Sequence, residues 1–485
     1  MSTSTLSVRH TDALCSVGDP WEAKQTKQAE MEETMNDVDL AKEMNELSFE
    51  QREKILEDVH GVAAVHDETP EFVDQCIEEL DKAISKTPIK NRKAYNRAVF
   101  LRPSLQSDKK FKLQFLRADE FDAKMAAERM VKYFQQKSDL FGEEKLGKTL
   151  TLDDLTDDDM YLYEIGYITV LPFPDRSGRP IIFGDGTKLD FERMTIDSIL
   201  RCYWYLMVSC YDDEIAQKKG SCTVVRLSAA RRSVSKLAEL ARRSAYNANC
   251  APGRNASFHI CYDDSRMDFL IKILRFSAEK ATRVRTRAHF GSEIENDYKL
   301  MSFGIPCDSL LQKARRNDFS MFEEYIRNIR NRDRRVMQEE EREEAETGVI
   351  LYPKPKDVLI GRGKSYRDLP CNVVWDVAMQ HAFERFRTSS TQFEKTCISM
   401  EVVKSVQDTG SRFLQRDPDG WRILDDVAAR QKTSVGFRNR GKDYLTAAAE
   451  QETKVTRPHL DSPDTNGQGG KRPRLDEPID QIMMQ

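Results

Sequence analysis

Residues 258–280, FHICYDDSRMDFLIKILRFSAEK, join a short apolar run to a longer amphipathic segment. The run Phe258–Tyr262 has the length and composition of a buried strand. A short polar stretch separates it from Met267–Lys280, in which apolar residues recur at helical spacing. The sequence here therefore predicts a strand that leads into an amphipathic helix.

The same alternation of apolar runs and helical segments extends back to about Met160. The runs lie at Tyr167–Pro172, Ile181–Phe183 and Cys222–Leu227, with helical segments between them. Strands that alternate with helices are typical of an α/β unit with a mostly parallel sheet. We therefore expect a unit of this kind in the middle of the chain.

Helices alone are predicted ahead of this unit. Ser48 with Gln51 three positions later forms a capping-box pattern, and Thr69 precedes a proline at a first helical position. A further helix is predicted over residues 122–141, with Asp122 as its cap. These segments predict a helical front piece before the first strand.

Several short elements resemble the CRAL-TRIO family of lipid-binding proteins. They are FLRA at 115–118, FD at 121–122, AA at 126–127, GRP at 178–180, GIP at 304–306 and LL at 310–311. The resemblance covers about residues 70–315 and puts the helix Met267–Lys280 at the position of the family's movable gate helix. It implies a pocket for a lipid or other hydrophobic small molecule, and transient contact with a membrane surface.

Apolar side chains of this gate helix are the candidate pocket and membrane contacts, because exposing them would let them enter a membrane surface. They are Phe269, Leu270, Ile273, Leu274 and Phe276. A fixed core helix would show the same periodicity, so the pattern alone leaves both interpretations open.

The segment RVRTRAHF at 283–290 alternates arginine with smaller residues, which in a strand would put three arginines on one face. Phosphoinositide-transfer members of the family place a lysine after the gate helix to contact phosphate, and an acidic partner where this chain has APGR at 251–254. Arginine can also bind an anionic headgroup bidentately. Pairing with Asp263, Asp264 or Glu293 is the alternative. The candidate headgroup contacts are Lys280, Arg283, Arg285 and Arg287.

The stretch DVLIGRGKSYRDLPCN at 357–372 looks at first like a phosphate-binding loop. A Walker A loop needs G-x-x-x-x-G-K-[ST], and its first glycine position is Val358 here. The dinucleotide pattern G-x-G-x-x-G fails as well, because its third glycine position is Tyr366. A glycine turn at the start of a small domain is favoured over nucleotide binding.

This stretch resembles the opening of a small uncharacterised domain found in diatoms and related stramenopiles. The likeness rests on DVLIGRG at 357–363, PCN at 370–372, RFL at 412–414 and DGW at 419–421, and covers about residues 354–442. The resemblance implies membership of that family and no particular activity.

Mainly helical structure is expected in this C-terminal domain. Helices are predicted at Val373–Phe386, at Gln392–Val406 and from Asp425 to about Asn439, with a β-hairpin around the turn at 417–420. We expect one small core formed by Trp375, Phe383, Phe386, Phe413 and Trp421.

Basic residues suggest two further contacts. Arg362, Lys364 and Arg367 could neutralise nucleic-acid phosphates, and an ordinary solvated surface is the alternative. In the tail GGKRPRLDEP, the residues Lys471, Arg472 and Arg474 look like a short nuclear-import signal that an import receptor would bind.

Other classes of function find little support in the 485 residues. The ten cysteines show no C-x-x-C spacing, and neither H-E-x-x-H nor G-x-S-x-G occurs. No secretory signal is apparent, and no apolar run reaches the roughly 20 residues that span a bilayer. We therefore expect a cytoplasmic or nuclear protein that is not an enzyme and has no cofactor or metal.

The sequence thus predicts a multidomain protein with a CRAL-TRIO-like α/β domain, an all-helical front piece, and a small mainly α domain with a β-hairpin. The expected function is binding of a lipid or other hydrophobic ligand, coupled to a basic interaction domain. A nuclear, nucleic-acid-binding regulator is the alternative. The predicted segments are an acidic, mostly disordered stretch (1–60), the front piece (61–145), the α/β domain (146–315), a charged helical linker (316–350), the C-terminal domain (351–445) and a disordered basic tail (446–485).

Overall fold

A computed structural model describes residues 39–227, 234–306, 320–361, 366 and 369–455. These residues fall into two compact units. The first comprises the described residues up to Cys371 together with Phe413–Ile423. The second comprises Asn372–Arg412 and the described residues from Leu424 onward.

The first unit opens with helices whose ends the sequence marks well. Residues 39–45 are helical. The labelled helices that follow are α1 (Phe49–His60), α2 (Pro70–Lys86), α3 (Lys93–Leu101), α4 (Lys109–Ala118), α5 (Ala123–Phe141) and α6 (Asp157–Glu164).

Side-chain caps explain where these helices begin. Ser48 and Gln51 form the predicted capping box at α1, and the Thr69 hydroxyl accepts from the Phe72 amide at α2. Asp122 caps α5 by accepting from the amides of residues 124 and 125. Because each cap satisfies amides that have no partner within the helix, these starts could be predicted from local sequence.

A five-stranded sheet follows, in the order β1-β2-β3-β4-β5. Its strands are β1 (Ile168–Val170), β2 (Ile181–Asp185), β3 (Ser221–Arg226), β4 (Asn255–Tyr262) and β5 (Thr286–Phe290). Only β1 pairs antiparallel; the other neighbours are parallel. The predicted mostly parallel sheet is confirmed.

Helices connect and cover these strands, as parallel pairing requires. They are α7 (Ile196–Cys210), α8 (Glu214–Lys219), α9 (Val234–Cys250), α10 (Asp268–Ser277), α11 (Lys280–Arg283), α12 (Glu293–Ser302) and α13 (Ser320–Thr347). Residues 258–280 thus pass from β4 into α10, as the sequence predicts.

The two faces of the sheet bury different clusters. Ile182 and Ile260 belong to the large core, which also holds Phe134 of α5 and Trp204 of α7. Ile181, Phe183, Cys222, Val224 and Cys261 pack on the other face with Leu300 of α12. Alternate residues of a strand point to opposite faces, so β2 and β4 contribute to both clusters.

The segment RVRTRAHF at 283–290 departs from the prediction of a continuous strand. Arg283 ends α11, where its amide bonds to the Glu279 carbonyl at 2.9 Å, and pairing with β4 begins only at Thr286. Since Arg283 and Arg285 precede the strand, only Arg287 lies within it. The predicted strand with three arginines on one face is therefore wrong.

Helix α13 is not the solvated linker that its charge pattern suggests. Phe322 and Tyr325 are buried, and so are Asp333 and Glu340. Asp333 accepts from the Leu152 amide at 2.8 Å and from the Tyr205 hydroxyl at 2.7 Å. The helix is packed within the first unit, where its buried acids have specific partners.

Glu340 in the distal half of α13 shows the same behaviour. It accepts from Arg102 at 2.9 Å, from the Thr149 hydroxyl at 2.7 Å and from the Tyr352 hydroxyl at 3.0 Å. Three donors compensate for removing this carboxylate from water. A charge that looks solvated in the sequence is therefore a packing contact in the fold.

Three short strands close the first unit: β6 (Val358–Ile360), β7 (Phe413–Arg416) and β8 (Trp421–Ile423). β6 pairs parallel to β7, and β7 and β8 form the predicted antiparallel hairpin. Trp421 is fully buried, contacts Phe100 edge to face and donates its Nε1 hydrogen to the Leu101 carbonyl at 2.8 Å.

The second unit contains three helices in its described part: α14 (Val373–Thr388), α15 (Gln392–Gln407) and α16 (Asp426–Val455). Phe386 and Phe437 stack at its centre, with ring centroids 4.3 Å apart, and Trp375 and Phe383 lie at the edge of the same cluster. Trp421 instead belongs to a cluster of the first unit. The single core expected from the sequence is therefore divided.

We expect Asp333→Ala to lower the free energy of unfolding by about 2–4 kcal/mol, because it leaves two buried donors without an acceptor. Glu341→Ala, at an exposed position of the same helix, should change it by less than about 0.5 kcal/mol. Urea unfolding of the full chain, followed by circular dichroism, measures both. Equal effects of the two variants would contradict the packed position of α13.

Candidate functional site

An apolar cavity of about 180 Å³ lies in the first unit between the sheet and helices α9 and α10. Its floor is formed by alternate strand residues: Phe258 and Ile260 line it, while His259 between them contacts Phe303, which packs against the cluster on the opposite face. Leu237 and Leu240 of α9 and Leu274 of α10 close the other side. The space is suited to a hydrophobic ligand.

Helix α10 carries apolar side chains on two faces. Leu270 is 4% exposed and lines the cavity together with Leu274, one helical turn further on. Phe269 and Phe276 are 67% and 66% exposed and share another face of the helix. Ile273 is half-buried. The helix therefore roofs the cavity and also presents two aromatic rings to solvent.

Polar groups are few at the cavity wall. The Thr223 hydroxyl lies 3.3 Å from Asn255 Oδ1, and burial raises the pKa of Tyr203 to about 12, so that this phenol stays neutral. Arg275 of α10 is the cation among the described lining residues and is only 8% exposed. The wall is therefore mainly apolar, with one buried cation among its described lining residues.

A second cavity, of about 210 Å³, lies at the outer side of β5. Arg275 and Thr286 line both cavities. Arg287 and Lys299 also line the second one; they donate to the carbonyls of Val284 at 2.8 Å and Phe290 at 2.6 Å. Its described lining contains cations and no acidic side chain. Sequence reasoning missed Arg275 and Lys299, because no local pattern marks them.

Two buried histidines lie at this second cavity, and one of them, His289, is among its lining residues. His259 Nδ1 and His289 Nε2 are 3.0 Å apart, and the rings are nearly parallel with centroids 5.3 Å apart. Phe303 packs against both rings, and His60 at the end of α1 stacks on Phe303 at 5.0 Å. The sequence suggested that both are structural histidines. It did not predict that they contact each other, or that His60 stacks on Phe303.

Burial and positive neighbours keep this pair neutral. Burial, with the charges of Lys299 and Arg287, lowers the pKa of His289 from 6.5 to about 4. Burial, His289 and Arg287 lower the pKa of His259 well below its ordinary value. One ring can therefore donate to the other without either being charged.

Three of the predicted headgroup cations lie together and pair with acids of the N-terminal helices. Lys280 Nζ is 2.8 Å from Glu46, Arg283 Nε is 2.7 Å from Glu43, and Arg285 is 2.6 Å from Asp58. Two of the three acids expected from sequence have other partners: Asp264 pairs with Arg266, and Glu293 pairs with Arg226. Arg287 is separate from the three and lines the second cavity.

Several predicted residues lie outside the described residues. They are Arg362, Lys364 and Arg367 of the C-terminal domain, the tail residues Lys471, Arg472 and Arg474, and the LL element at 310–311. Their proposed contacts stay predictions. Within the described residues, no cluster of three or more histidine, cysteine or acidic side chains could hold a metal ion. No helix of the described part is long and apolar enough to cross a membrane.

Comparison with known proteins gives two results. Residues 357–439 match the family model described as "Domain of unknown function (DUF6824)", in agreement with the domain expected at about 354–442. A structure titled "Crystal structure of Sfh5" aligns with 46% of this chain and 82% of its own chain. The sequence identity is 11% and the TM-score is 0.32.

We expect the protein to lose stability as the pH falls from 6.5 toward 4. In this window the unfolded chain binds protons that the folded histidine pair does not, so the free energy of unfolding drops by up to about 1.4 kcal/mol per pH unit for each histidine. Thermal unfolding across this range measures the slope. His289→Gln should reduce it, and His66→Gln, at an exposed histidine, should not. The same slope in all three proteins would show that the pair does not stay neutral.

Proposed function

We propose that this chain is a non-enzymatic binding protein that holds a lipid or another hydrophobic molecule in the cavity beneath α10. The observation that carries the proposal is the combination of an apolar cavity with a roof helix that is apolar on two faces. The resemblance of the surrounding sequence to CRAL-TRIO proteins supports the same function. In this proposal α10 is the gate, and binding follows its movement.

The size of the cavity supports a moving roof. At about 180 Å³ it is smaller than the roughly 300–1,000 Å³ typical of ligand pockets, so a lipid-sized ligand needs additional space. Leu270 and Leu274 occupy the side from which that space can come. Displacing α10 would enlarge the cavity without disturbing the hydrogen bonds of the sheet floor.

The exposed rings of α10 suggest where the ligand enters. Phe269 and Phe276 leave most of their apolar area in water, which is unfavourable unless a partner covers them. A membrane surface would bury both rings and would lie directly at the roof of the cavity. Transient membrane contact and ligand exchange would then take place at the same helix.

A cavity-filling substitution tests ligand binding. Ala248→Phe places a ring among the lining residues of α9 and should lower the affinity for a dansyl-labelled fatty acid by at least about tenfold, since lost space removes apolar contact. The matched control is Ala238→Phe, on the same helix but away from the cavity lining. Fluorescence titration of the full chain measures both. Failure of the unmodified protein to bind the probe would rule out the proposal.

The membrane contact predicts the effect of a second pair of substitutions. Phe269→Ser with Phe276→Ser should weaken association with phosphatidylcholine vesicles by about tenfold or more, because burying each ring contributes about 1.5–3 kcal/mol. Ile294→Ser with Tyr298→Ser removes two equally exposed side chains of α12 and should have little effect. Vesicle sedimentation distinguishes the two. A similar loss in both variants would contradict a specific role for α10.

A further inference from the structure

Residues 39–60 form an acidic strap over the basic segment that follows the roof helix. The strap consists of the helical residues 39–45 and of α1, and it contributes Glu43, Glu46 and Asp58 to ion pairs. Ile55 and Val59 of the strap also bury Val284, which directly follows α11. The strap therefore covers this basic segment with charge as well as with apolar contact.

The inner end of the strap is firmly held. Asp58 is only 1% exposed and lies between Arg254 and Arg285, each 2.6 Å away. Arg179 donates to the backbone carbonyl of the same residue. A carboxylate removed from water and held by two arginines cannot be displaced cheaply by an external anion, because its release would leave buried charges unpaired.

The outer end is held by two ion pairs that are more open to water, and by the partly buried Met44 and Leu47, which pack against the cluster around Val284. Lys280 and Glu46 are 46% and 65% exposed, and an ion pair this open to water contributes little to stability. Arg283 and Glu43 are about one-fifth exposed. Another anion that approaches from solvent can compete for both cations. The strap can thus open at its outer end while Asp58 keeps the inner end in place.

The two cations of the outer end belong to the segment that supports the gate. Both lie on α11, which two residues separate from the end of α10 at Ser277. Arg283 also donates from Nη1 to the Ala278 carbonyl at 2.9 Å, at the C-terminal cap of α10. Both acids therefore hold α11, and Glu43 also acts on the end of the roof helix through Arg283.

We propose that Lys280 and Arg283 form a docking surface for an anionic membrane, and that the outer end of the acidic strap covers this surface until lipid headgroups displace Glu43 and Glu46. The strap and the membrane are both negatively charged, so they compete for the same two cations. Releasing it frees α11, and with it one end of the gate. Only this coupling to the gate rests on the proposed function; the docking surface does not.

The neighbouring side chains favour a membrane over a soluble anion. Phe276, which is 66% exposed, lies near the end of α10, four residues before Lys280 at the start of α11. Basic residues beside exposed aromatic rings are typical of surfaces that lie in a membrane interface, where the rings enter the apolar boundary and the cations meet anionic headgroups. A free phosphate would use the cations and leave the ring in water.

The test is sedimentation of the full chain with vesicles of phosphatidylcholine, with and without phosphatidylserine. Glu43→Gln with Glu46→Gln should strengthen binding to the phosphatidylserine vesicles on the order of tenfold, because it frees two cations and each contributes about 1 kcal/mol at an anionic surface. The gain should disappear at high salt. Glu50→Gln with Glu53→Gln removes the same charge from exposed positions of α1 and is the matched control.

Hydrogen exchange of the unmodified chain gives a second readout that needs no variant. Phosphatidylserine vesicles should accelerate exchange in residues 39–47, and vesicles of phosphatidylcholine alone or inorganic phosphate should not. Equal gains for both glutamine pairs, or unchanged exchange with phosphatidylserine vesicles, would overturn the proposal. Acceleration by phosphate alone would show a soluble-anion site instead of a membrane surface.

The fatty-acid titration separates this proposal from the proposed function. If the probe binds but the strap variants behave like the unmodified chain, the strap proposal fails and the cavity remains. If the strap variants gain vesicle binding but no probe binds, the docking surface remains and the cavity function fails. If both hold, Glu43→Gln with Glu46→Gln should also accelerate probe uptake several-fold.

Discussion

Parallel pairing between β2, β3, β4 and β5 requires that the chain cross over after each strand, and this requirement arranges the first unit. The crossover helices must lie on the faces of the sheet, where their apolar sides meet alternate strand residues. On one face, Trp204 and Phe134 fill the space that the strands offer. Next to that packed core, α9 and α10 cover the sheet, but their side chains do not fill the space between helices and strands. This unfilled space is the cavity.

A cavity of this kind is costly unless something occupies it, because its lining side chains lose the contacts that a close-packed interior provides. The roof helix adds a second unfavourable feature through its exposed rings at 269 and 276. Both features involve α10. A hydrophobic ligand would fill the cavity beneath it, and a membrane surface would cover its exposed rings. Ion pairs hold the segment after α10. The pair of Asp58 with Arg285 is buried, and the pair of Glu46 with Lys280 is exposed.

Local patterns in the sequence were sufficient for the helix starts at Ser48, Thr69 and Asp122, for the parallel sheet and for the hairpin after Arg416. They were insufficient where a distant partner decides. Arg283 was expected in a strand, and Asp333 on a solvated helix, because the residues that fix them are far away in the chain. Glu43 lies 240 positions before Arg283, so no local pattern indicates that pair.

For the candidate site too, some residues could be predicted from local patterns and others could not. Leu270, Leu274 and the two exposed phenylalanines follow from the periodicity of one helix, although only the structure shows which face meets the cavity. The buried Arg275 and the contact between His259 and His289 depend on how β4, β5 and α10 come together. Periodicity can identify the roof helix of a cavity, whereas tertiary packing decides which charged side chains reach its wall.

If the cavity beneath α10 holds a hydrophobic molecule, native mass spectrometry of the intact chain should detect it. We expect one bound molecule per chain that is released on unfolding, identified as a lipid or other apolar compound, and absent from Ala248→Phe. A folded chain that carries no such molecule, and that takes none up from lipid vesicles, would contradict this expectation.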